Sequence, residues 1–288
     1  MNSINMEKKI AIADSSKVPP PDGFREAYIL HLADNTLILA QRNAEWCGHG
    51  PILEQDIAIT NISLDLLGQA RNFYQYAAQL INDSSGAKNG SPVLPYGDGL
   101  VEATEDSLAY LRKEREFKNC LLVEQPTGDW AQTILRQFFF SSYQYLLYQQ
   151  LQNSKDEQLA AIAAKALKEV SYHLRWSSEW VIRLGDGTKE SQNRMIKAAE
   201  ELWQYTGEFF KAADFELALV KDGISVDPST LKDEWTKKVT DIFAEAILAI
   251  PGKTFMQSGG KQGMHSEYMG YILADLQFMQ RAYPNSEW

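Results

Sequence analysis

The chain has 288 residues, and its 28 Lys and Arg against 38 Asp and Glu give a formal net charge of −10. This acidic balance argues against nucleic acid or an anionic membrane surface as the main partner. Hydrophobic residues make up 44% of the chain and aromatic residues 11%, which is enough for a well-packed core. Only four histidines and two cysteines are present, so the chain can supply few metal ligands and few nucleophiles of these types.

The cysteines and the N-terminal segment favour a cytoplasmic protein. Cys47 and Cys120 form no CxxC motif and no disulfide framework, as is usual in a reducing compartment. The first residues are charged and lack the apolar segment of a secretory signal. No later segment reaches the ~18 apolar residues of a membrane span, so we expect no membrane partner.

Proline and glycine placement predicts an all-α fold. No proline lies between Pro51 and Pro92 or between Pro126 and Pro228, and these stretches are rich in residues that favour long helices. Strand signals are weak. In chain order, the predicted helices cover about residues 24–46, 52–81, 104–117 (a short one), 129–151, 154–184, 188–221, 227–250 and 262–282.

Polar residues at the predicted helix starts have the spacing of N-terminal caps. Asp129 with Gln132 and Ser154 with Glu157 resemble capping boxes. Asp227 before a proline supplies a cap for the helix over 227–250. These caps fix the starts of three helices.

Residues 1–22 are predicted to form a flexible N-terminal arm, and residues 23–288 a single domain. The predicted order is two antiparallel helices, a long connection and two further helices, which is the connectivity of a ferritin-like bundle. In this chain, additional helices follow at the C-terminal end. Other all-helical arrangements share this pattern of lengths. Aromatic residues are dense in 130–148 and 203–215; most are predicted to be core, with any excess facing a partner.

Each of two predicted helices carries a polar stripe at four-residue spacing: Asn61, Asp65 and Gln69 on the first, and Lys165, Glu169 and His173 on the second. The first of these helices is otherwise apolar nearly all round and is predicted to be buried on most sides. Asp65 and Glu169 could therefore meet in the bundle interior. They would be ligands of a di-metal site, members of a satisfied polar network, or part of a solvated face.

The histidines argue against the metal site. Ferritin-like di-iron bundles use Glu on two helices and Glu-x-x-His on the other two. The position three residues before a histidine is never acidic in this chain, which holds for His31, His49, His173 and His265. The helix over 129–151 also has no carboxylate inside it. No catalytic residue is therefore assigned, and no metal ligand.

The favoured interpretation is a metal-free polar core. Asp65 and Glu169 are then vestigial ligand positions, paired with a cation such as Lys165 or His173. Removing one partner of such a buried pair is expected to cost about 3–5 kcal/mol. An atypical metal site is the alternative.

Four long segments in order along the chain carry a family resemblance: AEWCGHGPILEQDIAITNISLDLLGQARNFYQYA, LLVEQPTGDWAQTILRQFFF, KALKEVSYHLRWSSEWVIRLGDGTKESQNRM and GGKQGMHSEYMGYILADLQFMQRAYP. They resemble the family of phenylacetyl-CoA 1,2-epoxidase C subunits. The resemblance covers nearly everything from Gly23 to Trp288.

The resemblance implies a ferritin-like, non-catalytic structural subunit of a multicomponent di-iron monooxygenase. That complex epoxidises the aromatic ring of phenylacetyl-CoA in aerobic phenylacetate degradation. The implied partners are a catalytic ferritin-like subunit with the di-iron centre, a small bridging subunit, and a reductase with flavin and an iron–sulfur cluster that uses NADPH. No cofactor is implied for this chain itself.

Two other functions stay open at this point. In the first, the chain itself would be a di-iron oxygenase with atypical ligands. In the second, it would be a helical acyl-CoA-binding module. Formation of a homodimer in the absence of the partner is also left open.

Overall fold

A computed structural model of the chain describes residues 23–85, 93–96, 99–283 and 286, so the predicted N-terminal arm over 1–22 lies outside the described residues. The elements in chain order are α1 (Phe24–Ala44), α2 (Leu53–Ser84), β1 (Leu94–Tyr96), β2 (Gly99–Val101), α3 (Glu105–Tyr110), α4 (Trp130–Leu151), α5 (Glu157–Gly185), α6 (Lys189–Trp203), α7 (Asp214–Val220), α8 (Lys232–Glu245), α9 (Glu267–Leu276) and α10 (Phe278–Ala282). Short 3₁₀ turns lie at Glu114–Glu116, Thr206–Phe210, Pro228–Leu231 and Gly260–Gln262. None of the helices in this part of the chain is long and apolar enough to cross a membrane.

Four long helices form the centre of the fold. α1 packs along α2 and α4 packs along α5, while α2 also contacts α5. A short turn joins α1 to α2, whereas the long connection over 85–129 separates α2 from α4. This is the connectivity of a ferritin-like bundle with one long crossover, and the predicted fold class is confirmed.

The helix caps explain where α4 and α5 begin. The Asp129 carboxylate accepts the backbone N–H of Gln132, and the Gln132 side chain accepts the backbone N–H of Asp129, so the predicted capping box is confirmed. α5 is capped by Asp156 instead of Ser154. The Ser154 prediction is wrong because its hydroxyl donates to the carbonyl of Ile224 at 2.7 Å.

The predicted helix over 188–221 is wrong in its middle. α6 ends at Trp203, and a 3₁₀ turn separates it from α7. Gly207 in that turn lies against Met256, where a Cβ would stand 2.7 Å from the Met256 Cγ. The next residue, Glu208, turns inward to accept backbone N–H groups from another segment. Tertiary hydrogen bonds therefore override the local helix propensity here.

Three other helices also have boundaries that differ from the predictions. The short helix α3 ends at Tyr110, seven residues early, and the last helix begins at Glu267 because Gly263 before it has a φ of 77°. The helix over 227–250 starts with a 3₁₀ turn capped by Asp227 and ends at Glu245. Ile247 follows with a φ of 55°, which stops the helix.

The connection between α2 and α4 contains a strand pair that the sequence pattern did not predict. β1 and β2 pair antiparallel, with Leu94 opposite Val101. Each strand is three residues long, too short to show the alternating pattern on which strand prediction depends.

The core and the surface divide the apolar residues in an unexpected way. The aromatic side chains of α4 are buried as predicted; Tyr143, for example, stacks on Phe209 with ring centroids 4.7 Å apart. In contrast, α2 exposes Leu53 (71%), Ile57 (52%) and Leu64 (60%). The prediction that this helix is buried on most sides is therefore wrong, because neighbouring helices leave its outer face uncovered.

Candidate functional site

Asp65 and His173 are brought together between α2 and α5. The His173 Nε2 lies 3.0 Å from Oδ2 of Asp65, and it donates because a carboxylate only accepts. The His173 side chain is fully buried, whereas the Asp65 side chain is 38% exposed. The histidine Nδ1 has no hydrogen-bond partner among the described residues.

A second set of polar side chains crosses the bundle one helical turn away. The Gln69 side chain donates to Glu169 at 2.9 Å. Gln144 on α4 donates to the Gln69 carbonyl oxygen at 3.1 Å and to the hydroxyl of Tyr148 at 3.0 Å. These bonds link α2, α4 and α5. Four of the six residues predicted for a polar network are therefore hydrogen-bonded across the bundle, in two separate groups.

The other two predicted residues are elsewhere. Asn61 and Lys165 are exposed and take no part in these bonds. Of the two cations predicted for this pairing, His173 contacts Asp65, whereas the Lys165 side chain lies on the solvent side of α5. Asp65 and Glu169 also do not meet each other; one pairs with a histidine and the other with an amide.

The donor groups at the centre of the bundle do not suit a di-iron centre. Such a centre takes carboxylates from all four helices, but this interior presents amides, including Asn43 donating to Gln137 at 2.7 Å. Within 23–85, 93–96, 99–283 and 286, no group of three or more His, Cys, Asp or Glu side chains is placed to hold a metal ion. The residues present in the bundle interior therefore do not fit a di-iron centre.

A larger ionic cluster, for which the sequence offered no signal, lies where the long connection meets the C-terminal segment. We use the name ionic cluster for His31, Asp34, Tyr74, Arg112, Glu124, Glu208, Glu216, Lys261 and His265. Their side chains are almost all fully buried. The cluster joins α1, the connection, α7 and the segment over 259–265.

His265 and Glu124 form one pair of this cluster. The His265 Nδ1 lies 2.8 Å from the Glu124 carboxylate, which also accepts the backbone N–H of Ser266. Burial alone would lower the pKa of His265, but the hydrogen bond and negative charge of Glu124 outweigh it, and the pKa is raised. The Glu124 carboxylate therefore favours the charged form of His265.

Lys261 and Glu216 form a second buried pair, 2.9 Å apart. Burial raises the pKa of the Glu216 carboxyl, and the Lys261 ammonium opposes this shift. The neighbouring Glu208 has no cationic partner within hydrogen-bond distance among the described residues. It accepts backbone N–H groups instead, from Gly259 at 2.7 Å and Gly260 at 2.8 Å.

Asp34 and Arg112 form the third pair. Arg112 donates to the Asp34 carboxylate through both terminal nitrogens, and the hydroxyl of Tyr74 donates to the same carboxylate at 2.6 Å. The pKa of Tyr74 is raised, chiefly by burial and then by the Asp34 charge. The pair fixes α1 against the long connection.

His31 on α1 completes the cluster as a neutral residue. Burial and the nearby charge of Lys261 lower the pKa of His31 to about 3. Its Nδ1 donates to the carbonyl of Lys118 at 2.6 Å, which fixes the tautomer. His31 therefore stays neutral, and its role is to link α1 to the long connection by a hydrogen bond.

The charged groups of the ionic cluster are closed off from solvent. The charged groups of the ionic cluster are saturated by each other and by backbone groups, with almost no exposed area. A groove of 530 Å³ between α6 and residues 247–252 is lined by one acidic side chain, Glu200, and by no basic one. It is therefore poorly suited to the phosphates of an acyl-CoA.

Comparison with known proteins identifies the family of the chain. Residues 22–288 match the family described as "Phenylacetic acid catabolic protein". The chain is 47% identical over 262 residues to the C subunit of 1,2-phenylacetyl-CoA epoxidase from Escherichia coli (strain K12), a match that covers 91% of this chain and 98% of that protein. The resemblance seen in the sequence is thereby confirmed, and the chain belongs to the phenylacetic acid catabolic protein family.

Proposed function

We propose that this chain is the non-catalytic structural subunit of a phenylacetyl-CoA epoxidase, and that it stabilises the iron-bearing subunit by pairing with it. The identity of 47% to a C subunit over nearly its whole length carries the proposal. The arrangement of the interior supports the non-catalytic part, because amide side chains stand where a di-iron centre needs carboxylates.

The cofactors of the reaction belong, in this proposal, to other chains. The di-iron centre lies in the catalytic ferritin-like subunit, and the reductase carries flavin and an iron–sulfur cluster and uses NADPH. The complex also includes a small bridging subunit. The contribution of this chain is a rigid helical body, which its buried ion pairs hold in one conformation.

We also propose that the protein works in the cytoplasm. Its two cysteines are free, Cys47 exposed and Cys120 buried. An exposed free thiol is usual in a reducing compartment and uncommon in an oxidising one.

Metal counting by native mass spectrometry tests the proposal. The chain is expressed in iron-replete cells, once alone and once with the catalytic subunit of the same organism. We expect a stable heteromer whose iron is found only when the catalytic subunit is present. The chain alone should hold no stoichiometric iron.

Two results would contradict the proposal. Two iron atoms per chain in the protein purified alone would make it a di-iron oxygenase with atypical ligands. Failure to form a heteromer, together with tight binding of a CoA ester to the chain alone, would make it an acyl-CoA-binding module.

A further inference from the structure

The outer face of α5 carries three basic side chains and a tyrosine in one line. We use the name α5 stripe for Lys165, Lys168, Tyr172 and Arg175, all of which are exposed. Successive members are three, four and three residues apart, so they share one face of the helix over a length of about 15 Å. This line of positive charge lies on a chain whose net charge is −10.

The three cations of the α5 stripe are not neutralised within the part of the chain that the structure describes. Exposed cations on other helices do pair: Arg194 on α6 lies 2.7 Å from Glu190, and Lys238 on α8 lies 3.9 Å from Glu234. No carboxylate of the described residues lies within ion-pair distance of the stripe. Its positive charge is therefore free to attract a group outside this chain.

The nearby carboxylates of α5 are already engaged. Glu169 accepts a hydrogen bond from the Gln69 side chain at 2.9 Å. Glu179, which follows the stripe, lies 3.7 Å from Arg183. Neither carboxylate needs a cation of the stripe as its partner.

Tyr172 and Arg175 add a stacked pair to the stripe. The guanidinium carbon of Arg175 lies 5.6 Å from the centroid of the Tyr172 ring, and Tyr172 is 39% exposed. Tyrosine and arginine are both enriched in protein interfaces. The contact also restricts two long side chains, so less conformational entropy is lost when a partner binds them.

The charge and size of the α5 stripe indicate which surface complements it. Three cations are fewer than the clusters of about 4–8 Lys and Arg that bind anionic membranes. The net charge of −10 also opposes binding to lipid or nucleic acid. An acidic face of another protein has the complementary charge and meets neither objection.

The composition of the α5 stripe suits a transient contact better than a permanent one. Permanent interfaces have a large apolar core, and Tyr172 is the one aromatic member of the stripe. Charged and solvated patches are typical of brief encounters, in which complementary charge speeds association. The stripe therefore fits an acidic protein that binds and then leaves.

We propose that the α5 stripe is a docking site for an acidic face of the reductase. The inference rests on the function proposed above, in which the reductase is the separate chain that brings electrons to the complex. Exposure and unpaired positive charge on this helix carry the inference, because they give a visiting acidic protein a place to bind.

Turnover of the reconstituted complex, measured against reductase concentration, tests the docking site. We expect Lys165→Glu with Lys168→Glu to raise the reductase concentration at half-maximal rate about tenfold, while the maximal rate falls less than about twofold. For the parent, a rise from about 20 mM to about 300 mM salt should raise the same concentration, since salt screens exposed charges. The double variant should lose most of this salt dependence.

A second double variant separates position from net charge. Lys189→Glu on α6 with Lys237→Glu on α8 changes the net charge equally at exposed lysines outside the stripe. It should leave the half-maximal reductase concentration within about twofold of the parent. Circular dichroism confirms that both double variants are folded.

Three results would overturn the docking site. The first is an unchanged half-maximal concentration in the stripe variant, and the second is an equal rise in the control variant. The third is loss of the heteromer with the catalytic subunit in the stripe variant, seen by native mass spectrometry, which would assign the stripe to the permanent interface. A parent chain that forms no heteromer contradicts the proposed function itself, and the docking site with it.

Discussion

His265 and Glu124 are 141 positions apart in the chain, yet the imidazole Nδ1 lies 2.8 Å from the carboxylate. The other ring nitrogen lies 3.0 Å from the carbonyl oxygen of Phe117. A carboxylate and a carbonyl only accept hydrogen bonds, so both ring nitrogens must donate. His265 is therefore an imidazolium whose counter-charge is one buried carboxylate.

Removal of this imidazolium should destabilise the protein. His265→Gln leaves the Glu124 carboxylate buried with fewer donors, and we expect a loss of about 3 kcal/mol in the free energy of unfolding. Urea unfolding near neutral pH measures it. His49→Gln, at an exposed histidine, is the control and should change stability by less than about 0.5 kcal/mol. Equal effects of the two variants would contradict the importance of the buried pair.

The same pair predicts a pH dependence with a definite sign. The pKa of His265 is raised in the folded state, so its stabilisation is complete below the unfolded pKa of about 6.5. The stabilisation is lost as the pH rises through the folded pKa. The stability difference between the parent and His265→Gln should therefore be larger at about pH 6 than at about pH 9. A difference that grows with pH would show that the histidine is neutral when folded.

The Lys261–Glu216 pair should show strong coupling. Lys261→Met leaves a buried carboxylate without its cation, and we expect a loss of about 3–5 kcal/mol. Adding Glu216→Gln removes that charge, so the double variant should be more stable than the sum of the two single losses predicts. Urea unfolding of the four proteins in this double-mutant cycle gives the coupling energy. Additive losses would mean that the two groups act independently.

Asp65→Ala should cost less than the polar stripes in the sequence suggest. The side chain of Asp65 is 38% exposed, so water can take over part of the hydrogen bonding that His173 loses with the carboxylate. We expect a loss of about 1 kcal/mol instead of about 3–5 kcal/mol. Thermal or urea unfolding measures it, with Asp186→Ala at an exposed carboxylate as control. A loss above about 3 kcal/mol would restore the original expectation.

Ile247→Gly should stabilise the protein. Ile247 has a φ of 55° at the end of α8, where Leu248 donates its N–H to the carbonyl of Phe243 in the manner of a helix-terminating turn. A β-branched residue is strained there, and its side chain is 62% exposed, so little packing is lost. We expect a gain of about 0.5–1 kcal/mol in the free energy of unfolding. Ile250→Gly is the control and should destabilise, since its φ is not positive.

Local patterns in the sequence predicted the bundle well and the polar contacts unevenly. The four-residue spacing put Asp65 and Gln69 on one helix face and Glu169 and His173 on another, because i, i+4 residues share a helix face, but it did not predict which residues pair. Spacing does not tell how far a helix is covered by its neighbours, so the exposure of α2 was missed. Gly207 and Gly263 mark breaks that are recognisable only with knowledge of the segments packed against them.

The ionic cluster was beyond sequence reasoning for a different reason. Glu124, Lys261 and His265 lie in irregular segments, without a period that would indicate burial or a partner. Charged residues in such segments are usually exposed. Here they are buried because each meets an opposite charge or backbone donors from a distant part of the chain. Only the packing of the complete chain brings those groups together.

The buried ion pairs also determine when a newly made chain can reach its native state. Glu124, Glu208 and Glu216 are synthesised before the residues over 259–265 that neutralise or bind them. Their burial without those residues would be very costly. Until the residues over 259–265 have packed, these carboxylates remain in water, and the side of the bundle that they line stays open. That side of the bundle therefore closes in the same step that docks this segment.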